Sequence, residues 1–367
     1  MKIYNFLPIL IPFLFYATAL PINMVPDNSI STSAHYTPHD INILSVGDWG
    51  SAALGGYHLK NAQSTAYAMK IYASEYNPKL VLNTGDNFYY CGIQNTSDPQ
   101  VNYDYVELFG NIDLPWYNTL GNHDYGFNPD AQLELNQTIP QWIMDARYYH
   151  RRVIFNSSDI NHDVATIALN VIVLDTNPCV NDYRGDDRAK WDPCSIQYPL
   201  CSPVAGECMF HENIINQSCK TQLDWFNTTL SNIPPTEWVF VVGHHKADEI
   251  DVEDFQSLLG SNRVDLYLNG HNHNLEHYSI DGDAKYMTTG AGGMVIIGSN
   301  GHSNVKLHEE SPEFKHRKHG FKSVWSKITT GFSSHTFIDK GTKVVTKFWD
   351  VSQNVLYNFT ISHTTMS

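Results

Sequence analysis

Five short motifs carrying metal-ligand residue types punctuate this 367-residue chain, each directly after an apolar run. They are Gly47-Asp48-Trp49-Gly50, Gly85-Asp86-Asn87-Phe88-Tyr89, Gly121-Asn122-His123-Asp124, Gly243-His244 and Gly270-His271-Asn272-His273. The runs before them, INILSV, KLVLNT, PWYNTL, EWVFVV and VDLYLN, read as strands. Side chains at the carboxyl ends of neighbouring strands of an α/β sheet converge on one crevice. Two Asp, an Asn, a Tyr and several His gathered there predict a two-metal site. One Gly-Asp or Gly-His pair is an ordinary turn; five in series, each after a strand, carry the signal.

The donor types divide the site. A carboxylate can bridge two metals roughly 3.5–4 Å apart, and Asp86 is the expected bridge because Tyr89 follows three residues on. A phenolate is an anionic oxygen donor that favours a small trivalent ion, so Tyr89 points to Fe(III). Asn122 offers a neutral carbonyl oxygen, and His244 and His271 offer imidazoles. That set suits Fe(II), Zn(II) or Mn(II). Alternation along an extended segment puts His271 and His273 on one side, within reach of different metals. His123 is better placed to donate a proton than to ligate, and Asp124 is expected to cap the turn rather than to orient the His123 ring.

Strand and helix patterns alternate up to residue 273, and mostly strands follow. Helical spacing marks residues 58–76, 103–109, 221–230 and 252–259, and further strands are expected at 148–155, 166–174, 285–288, 331–338, 343–349 and 355–361. This pattern predicts an α/β fold with two packed mixed β-sheets flanked by helices. No repeat or linker divides the chain, so residues 40–362 are expected to form a single domain with a cysteine-rich insert at 177–219.

The first residues combine a positive start with an apolar stretch ending in small residues near Ala19. Residues 1–19 therefore read as a signal peptide and residues 20–39 as a polar tail. Pro8 and Pro12 break a run already short for an uncleaved anchor, and no later stretch is apolar enough for a membrane span. Six Asn-x-Ser/Thr sequons, at Asn95, Asn136, Asn156, Asn216, Asn227 and Asn358, and six cysteines suit an exported protein. Five of the cysteines lie in the insert, so Cys91 is expected to pair into it and staple the loop carrying Tyr89. A formal net charge of -15 excludes nucleic acid as a natural partner.

The blocks Gly-Asp-Asn-Phe-Tyr and Gly-His-Asn-His resemble those of the purple acid phosphatases of the tartrate-resistant type. These are calcineurin-like metallophosphoesterases, and the resemblance runs over about residues 41–349. It implies a four-layer sandwich and a ferric ion held by Asp48, Asp86, Tyr89 and His273. It also implies a divalent ion held by Asp86, Asn122, His244 and His271, with His123 as proton donor. The implied activity is hydrolysis of small phosphomonoesters or phosphoproteins by a secreted, lysosomal or vacuolar acid phosphatase. A phosphodiesterase of the same superfamily and an iron-binding glycoprotein with a relic site are the alternatives, and Tyr89 counts against the first. Where this family usually has an aromatic residue and a proline, the chain has His245-Lys246. His245 is thus a rival ligand or a phosphate contact, and Lys246 either favours an anionic substrate or is a solvated loop lysine.

Overall fold

The computed structural model describes residues 40–158, 164–185, 192–194, 201, 208–295 and 320–363. The expected signal peptide and polar tail, and much of the cysteine-rich insert, lie outside the described residues. Those described belong to one compact unit, Pro38–Ser367.

Two mixed sheets of seven strands each form the centre of the fold. In the first, β1 (Ile41–Val46), β2 (Val81–Asn83), β3 (Trp116–Asn118) and β4 (Trp142–Ile143) run parallel. β12 (Gly331–Ile338), β13 (Lys343–Asp350) and β14 (Val355–Ser362) extend this sheet antiparallel on the other side of β1. The second sheet is built on parallel β6 (Val164–Val173), β7 (Trp238–Val242), β8 (Leu266–Asn269) and β10 (Asp283–Thr289). Antiparallel β5 (Tyr149–Ser158) forms one edge, and β9 (Leu275–Ile280) and β11 (Phe321–Lys327) the other.

Central β7 is an unbroken apolar run, WVFVV, because both of its faces are buried. Along β7, Trp238, Phe240 and Val242 join the core between the sheets. Val239 and Val241 turn instead to a second apolar cluster, with Phe226 of α2 (Cys219–Asn232) and Phe255 of α3 (Phe255–Leu259). On the first sheet, α1 (Gly56–Tyr76) lays Tyr72 edge-on against Phe332 and Trp349, at ring distances of 5.8 and 5.4 Å. Helices thus flank the paired sheets as expected. The segment read as a helix at 103–109 is instead a π-helical turn, Val101–Val106.

Three disulfides pair Cys91 with Cys201, Cys179 with Cys219 and Cys194 with Cys208. Cys91 does pair into the insert and anchors the segment that follows Tyr89.

Candidate metal centre

Every one of the five motifs sits just beyond the carboxyl end of a parallel strand. Asp48 follows β1, Asp86 β2, Asn122 β3, His244 β7, and His271 β8. The turns are tight enough to force unusual backbone. Asp48, Asp86 and His271 all have positive φ, at 56°, 52° and 66°, a conformation that costs a non-glycine residue on the order of 1 kcal/mol or more. The glycine before each donor is there for space. A Cβ on Gly121 would lie 2.1 Å from Asp86 Oδ1, and one on Gly85, whose φ is +91°, would meet His244 Nδ1 at 2.8 Å.

The donors fall into two groups that share Asp86. The Tyr89 hydroxyl lies 3.0 Å from Asp48 Oδ1, 2.9 Å from Asp86 Oδ2 and 3.2 Å from His273 Nε2. On the other side, Asn122 Oδ1 lies 3.0 Å from both His244 Nε2 and His271 Nδ1. His244 Nε2 is also 3.4 Å from Asp86 Oδ1. Asp48, Asp86, Tyr89, Asn122 and His244 are buried. All seven donors expected from the sequence are therefore in one place.

Their chemistry fits a pair of cations. One phenol proton can be donated to only one acceptor at a time, yet the Tyr89 oxygen faces two carboxylates at hydrogen-bonding distance. Burial, then Asp48 and Asp86, push its pKa well above the ordinary value, so the phenol stays protonated until a cation takes the proton's place. The second group repeats the pattern. His244 Nδ1 faces the Thr84 carbonyl at 2.8 Å and must carry the hydrogen there. Its Nε2 lone pair then points at two oxygen acceptors, an arrangement made for a metal. With no metal, a proton fills that place: burial opposes it, but Asp86 and Asp48 push His244 up to about 9. Burial raises Asp48. For Asp86 burial acts the same way, but the surrounding imidazoles, His244 first, reverse it and hold that carboxylate well below its ordinary range.

Residues 41–275 match the family described as calcineurin-like phosphoesterase. The chain belongs to the calcineurin-like phosphoesterases. It is 28% identical to purple acid phosphatase 7 of Arabidopsis thaliana over 267 residues, which cover 69% of this chain and 70% of that one. Identity to the Mus musculus tartrate-resistant acid phosphatase type 5 is 27%, over 69% of this chain and 72% of that one. Among solved structures, its fold is similar to GAP50, the anchor in the inner membrane complex of Plasmodium. There the TM-score is 0.62 at 22% identity, covering 88% of this chain and 89% of that one.

Around its donors this phosphoesterase holds supporting residues, some within the motifs and some outside them. Asp124 caps the turn as expected, accepting from Gly121 N at 2.8 Å, but it also accepts from the backbone of Asn87 and Phe88 and from Gln132. Asn83 accepts from Trp49 Nε1 and donates to Asn87 and Asn118, a buried amide network behind the ligand loops. Two asparagines in apolar strands, in KLVLN and WYN, were the available sign of it. His123 Nδ1 lies 2.8 Å from the Tyr90 carbonyl, and its ring is 4.5 Å from that of Tyr89. Thr176, whose hydroxyl accepts from the backbone N–H groups of His244 and His245, had no signal in sequence.

The departure at His245-Lys246 resolves differently from expectation. One ring nitrogen of His245 lies within 4.8 Å of one from each of His244 and His271, close enough for the three to share a metal ion. However, Nδ1 pairs with the Thr176 hydroxyl at 2.8 Å and Nε2 with the Tyr183 hydroxyl at 3.0 Å. Neither is free to ligate without breaking a buried hydrogen bond, and burial holds the ring neutral. Lys246 is neither a solvated loop lysine nor turned to substrate. It is buried, with Nζ 2.7 Å from Glu276 Oε2, because an apolar pocket tolerates an ammonium only with a partner charge.

Proposed function

We propose that this phosphoesterase is a purple acid phosphatase that hydrolyses phosphate monoesters at a binuclear Fe(III)–M(II) centre. The observation that carries the reading is Tyr89: its oxygen is shared by Asp48, Asp86 and His273, the surroundings of a phenolate that ligates a trivalent ion. Asp48, Asp86, Tyr89 and His273 hold the ferric ion. Asp86, Asn122, His244 and His271 hold a divalent ion, Fe(II), Zn(II) or Mn(II). When bound, the metal pair attracts the phosphoryl oxygens and lowers the pKa of water enough for attack at acidic pH.

The protein's own groups do the rest. Asp86 offers one oxygen to each group of donors. The Thr84 carbonyl fixes the tautomer of His244, and Asp48 accepts from the backbone N–H of His271. The Tyr90 carbonyl holds one hydrogen of His123 at Nδ1, so a second proton taken up at Nε2 in acid is the one given to the departing alkoxide; burial lowers the pKa of the ring, which makes that proton easier to release. Phosphomonoesters, small or on proteins, are the substrate class.

Export to an acidic compartment or to the medium completes the reading. The six cysteines are all in disulfides, and all six sequon asparagines are exposed and open to glycosylation. No helix among the described residues is long and apolar enough to cross a membrane. The test is metal analysis with a visible spectrum. The purified protein is expected to be coloured by charge transfer from Tyr89 to Fe(III), and Tyr89→Phe is expected to lose the band while keeping its fold. An unchanged band in that variant refutes the assignment.

A further inference from the structure

The loop that carries His244 and the turn that carries His271 and His273 come from adjacent strands, β7 and β8, of the second sheet. Hydrogen bonds at the strand ends are the first link between them: Gly243 N donates to Leu268 O at 2.9 Å, Gly270 N to His244 O at 3.0 Å and the Tyr267 hydroxyl to His245 O at 2.6 Å. A second link lies behind the site. Lys246, two residues past His244, reaches Glu276, three residues past His273 on β9. Both side chains are 5% exposed and the ion pair spans 2.7 Å. The ammonium also lies 4.7 Å from the Phe321 ring centroid and 5.4 Å from that of Tyr278. The Tyr278 hydroxyl in turn accepts from Ala247 N at 3.4 Å.

We infer that the Lys246–Glu276 pair is a positioning clamp that fixes His244 against His271, and so sets how firmly the centre holds its divalent ion. The inference rests on the binuclear reading above. Neither residue touches a donor atom, so both are positioning residues. A buried ion pair suits this task better than apolar packing. Apolar contacts allow a loop to slide at little cost, whereas a desolvated pair loses its compensation as soon as it separates. The lysine stands where a proline was expected from the family resemblance. A proline would restrict the backbone there directly; here the side chain supplies the restraint. Two of the four donors of the divalent half, His244 and His271, lie on the two joined segments, but only His273 of the ferric half does. The divalent ion should therefore be the one that feels the clamp.

The test compares native protein with Lys246→Met, Glu276→Gln and the double variant Lys246→Met/Glu276→Leu. Each is dialysed against a graded chelator, and metal content, visible band and Tm are read. Single variants leave a buried charge unpaired and are expected to lose Tm. Should they fail to fold, the double variant carries the test, since two apolar side chains of similar size restore packing without restoring the pair. The expected result is a double variant with near-native Tm and colour that releases its divalent ion at about 10-fold lower chelator concentration. A double variant that keeps the divalent ion as native protein does overturns the clamp, as do folded single variants with native retention. Native protein that takes up no metal refutes the binuclear reading itself, and the clamp with it.

Discussion

Asp104 offers a test of how this fold behaves in acid, at a position away from the metal donors. Its carboxylate is buried, accepts from Ala53 N at 2.9 Å and from Gln100 Nε2 at 3.0 Å, and meets no cation among these partners. Burial outweighs those hydrogen bonds and raises its pKa from 3.8 to about 7. The folded state therefore holds a proton between about pH 4 and 7 that the unfolded chain has released. The resulting stability is fully present below pH 3.8 and is lost as pH rises through 7. Between pH 5 and 7.5 the wild-type protein should lose about 2.5 kcal/mol on this account, from about 1.4 kcal/mol for each tenfold change in proton binding. Asp104→Asn is neutral throughout and should not lose it. A fixed penalty is expected from setting an amide N–H against Gln100, but that penalty does not change with pH. Thermal melts of both proteins at pH 5 and 7.5 give the answer, and any metal contribution cancels in the difference. The Tm gap should move in favour of the asparagine variant by about 3–4 °C, for a domain of this size. A gap that stays constant, or moves the other way, refutes the reasoning.

Three further outcomes are expected. His123→Ala should lower kcat on alkyl phosphates by about 10²–10⁴-fold and have less effect on activated aryl esters, whose leaving groups need no proton; equal losses on both would make His123 a phosphate-binding group. His244→Ala should release the divalent ion, while His245→Ala should retain it, because both His245 nitrogens are already taken by Thr176 and Tyr183; metal analysis of the two variants decides between neighbours. Gly121→Ala should destabilise by about 1–3 kcal/mol and disturb the metal content, since its Cβ would collide with Asp86 Oδ1 and the Asp86 backbone; a variant with native Tm and metal content would show that the loop yields freely.

How far the sequence reached depended on the range of the interactions. β1 and β12 have the bounds expected from the sequence, and β7 lies within its apolar run, which is unbroken because both faces of that strand are buried. The convergence of Asp48, Asp86, Tyr89, Asn122, His244, His271 and His273 was legible for a related reason. Each donor sits within a few residues of a strand end, and parallel strands point those ends the same way. β9 and β11 were not legible. β9 is buried throughout, yet its sequence LEHYSI is half polar, since Glu276 is neutralised by Lys246 and His277 is bonded to Ala284 O and the Tyr357 hydroxyl. β11 is an edge strand with charged, exposed residues. Whether a lysine faces solvent, substrate or a buried glutamate depends on a residue 30 positions away, and no local pattern holds that information. The same is true of the choice of Cys201 for Cys91, 110 residues apart. Sequence by itself determined which residues stand at the strand ends and which donors they bring. Tertiary packing decided what lies behind them, because burial and charge pairing between distant segments exist only once the chain has folded.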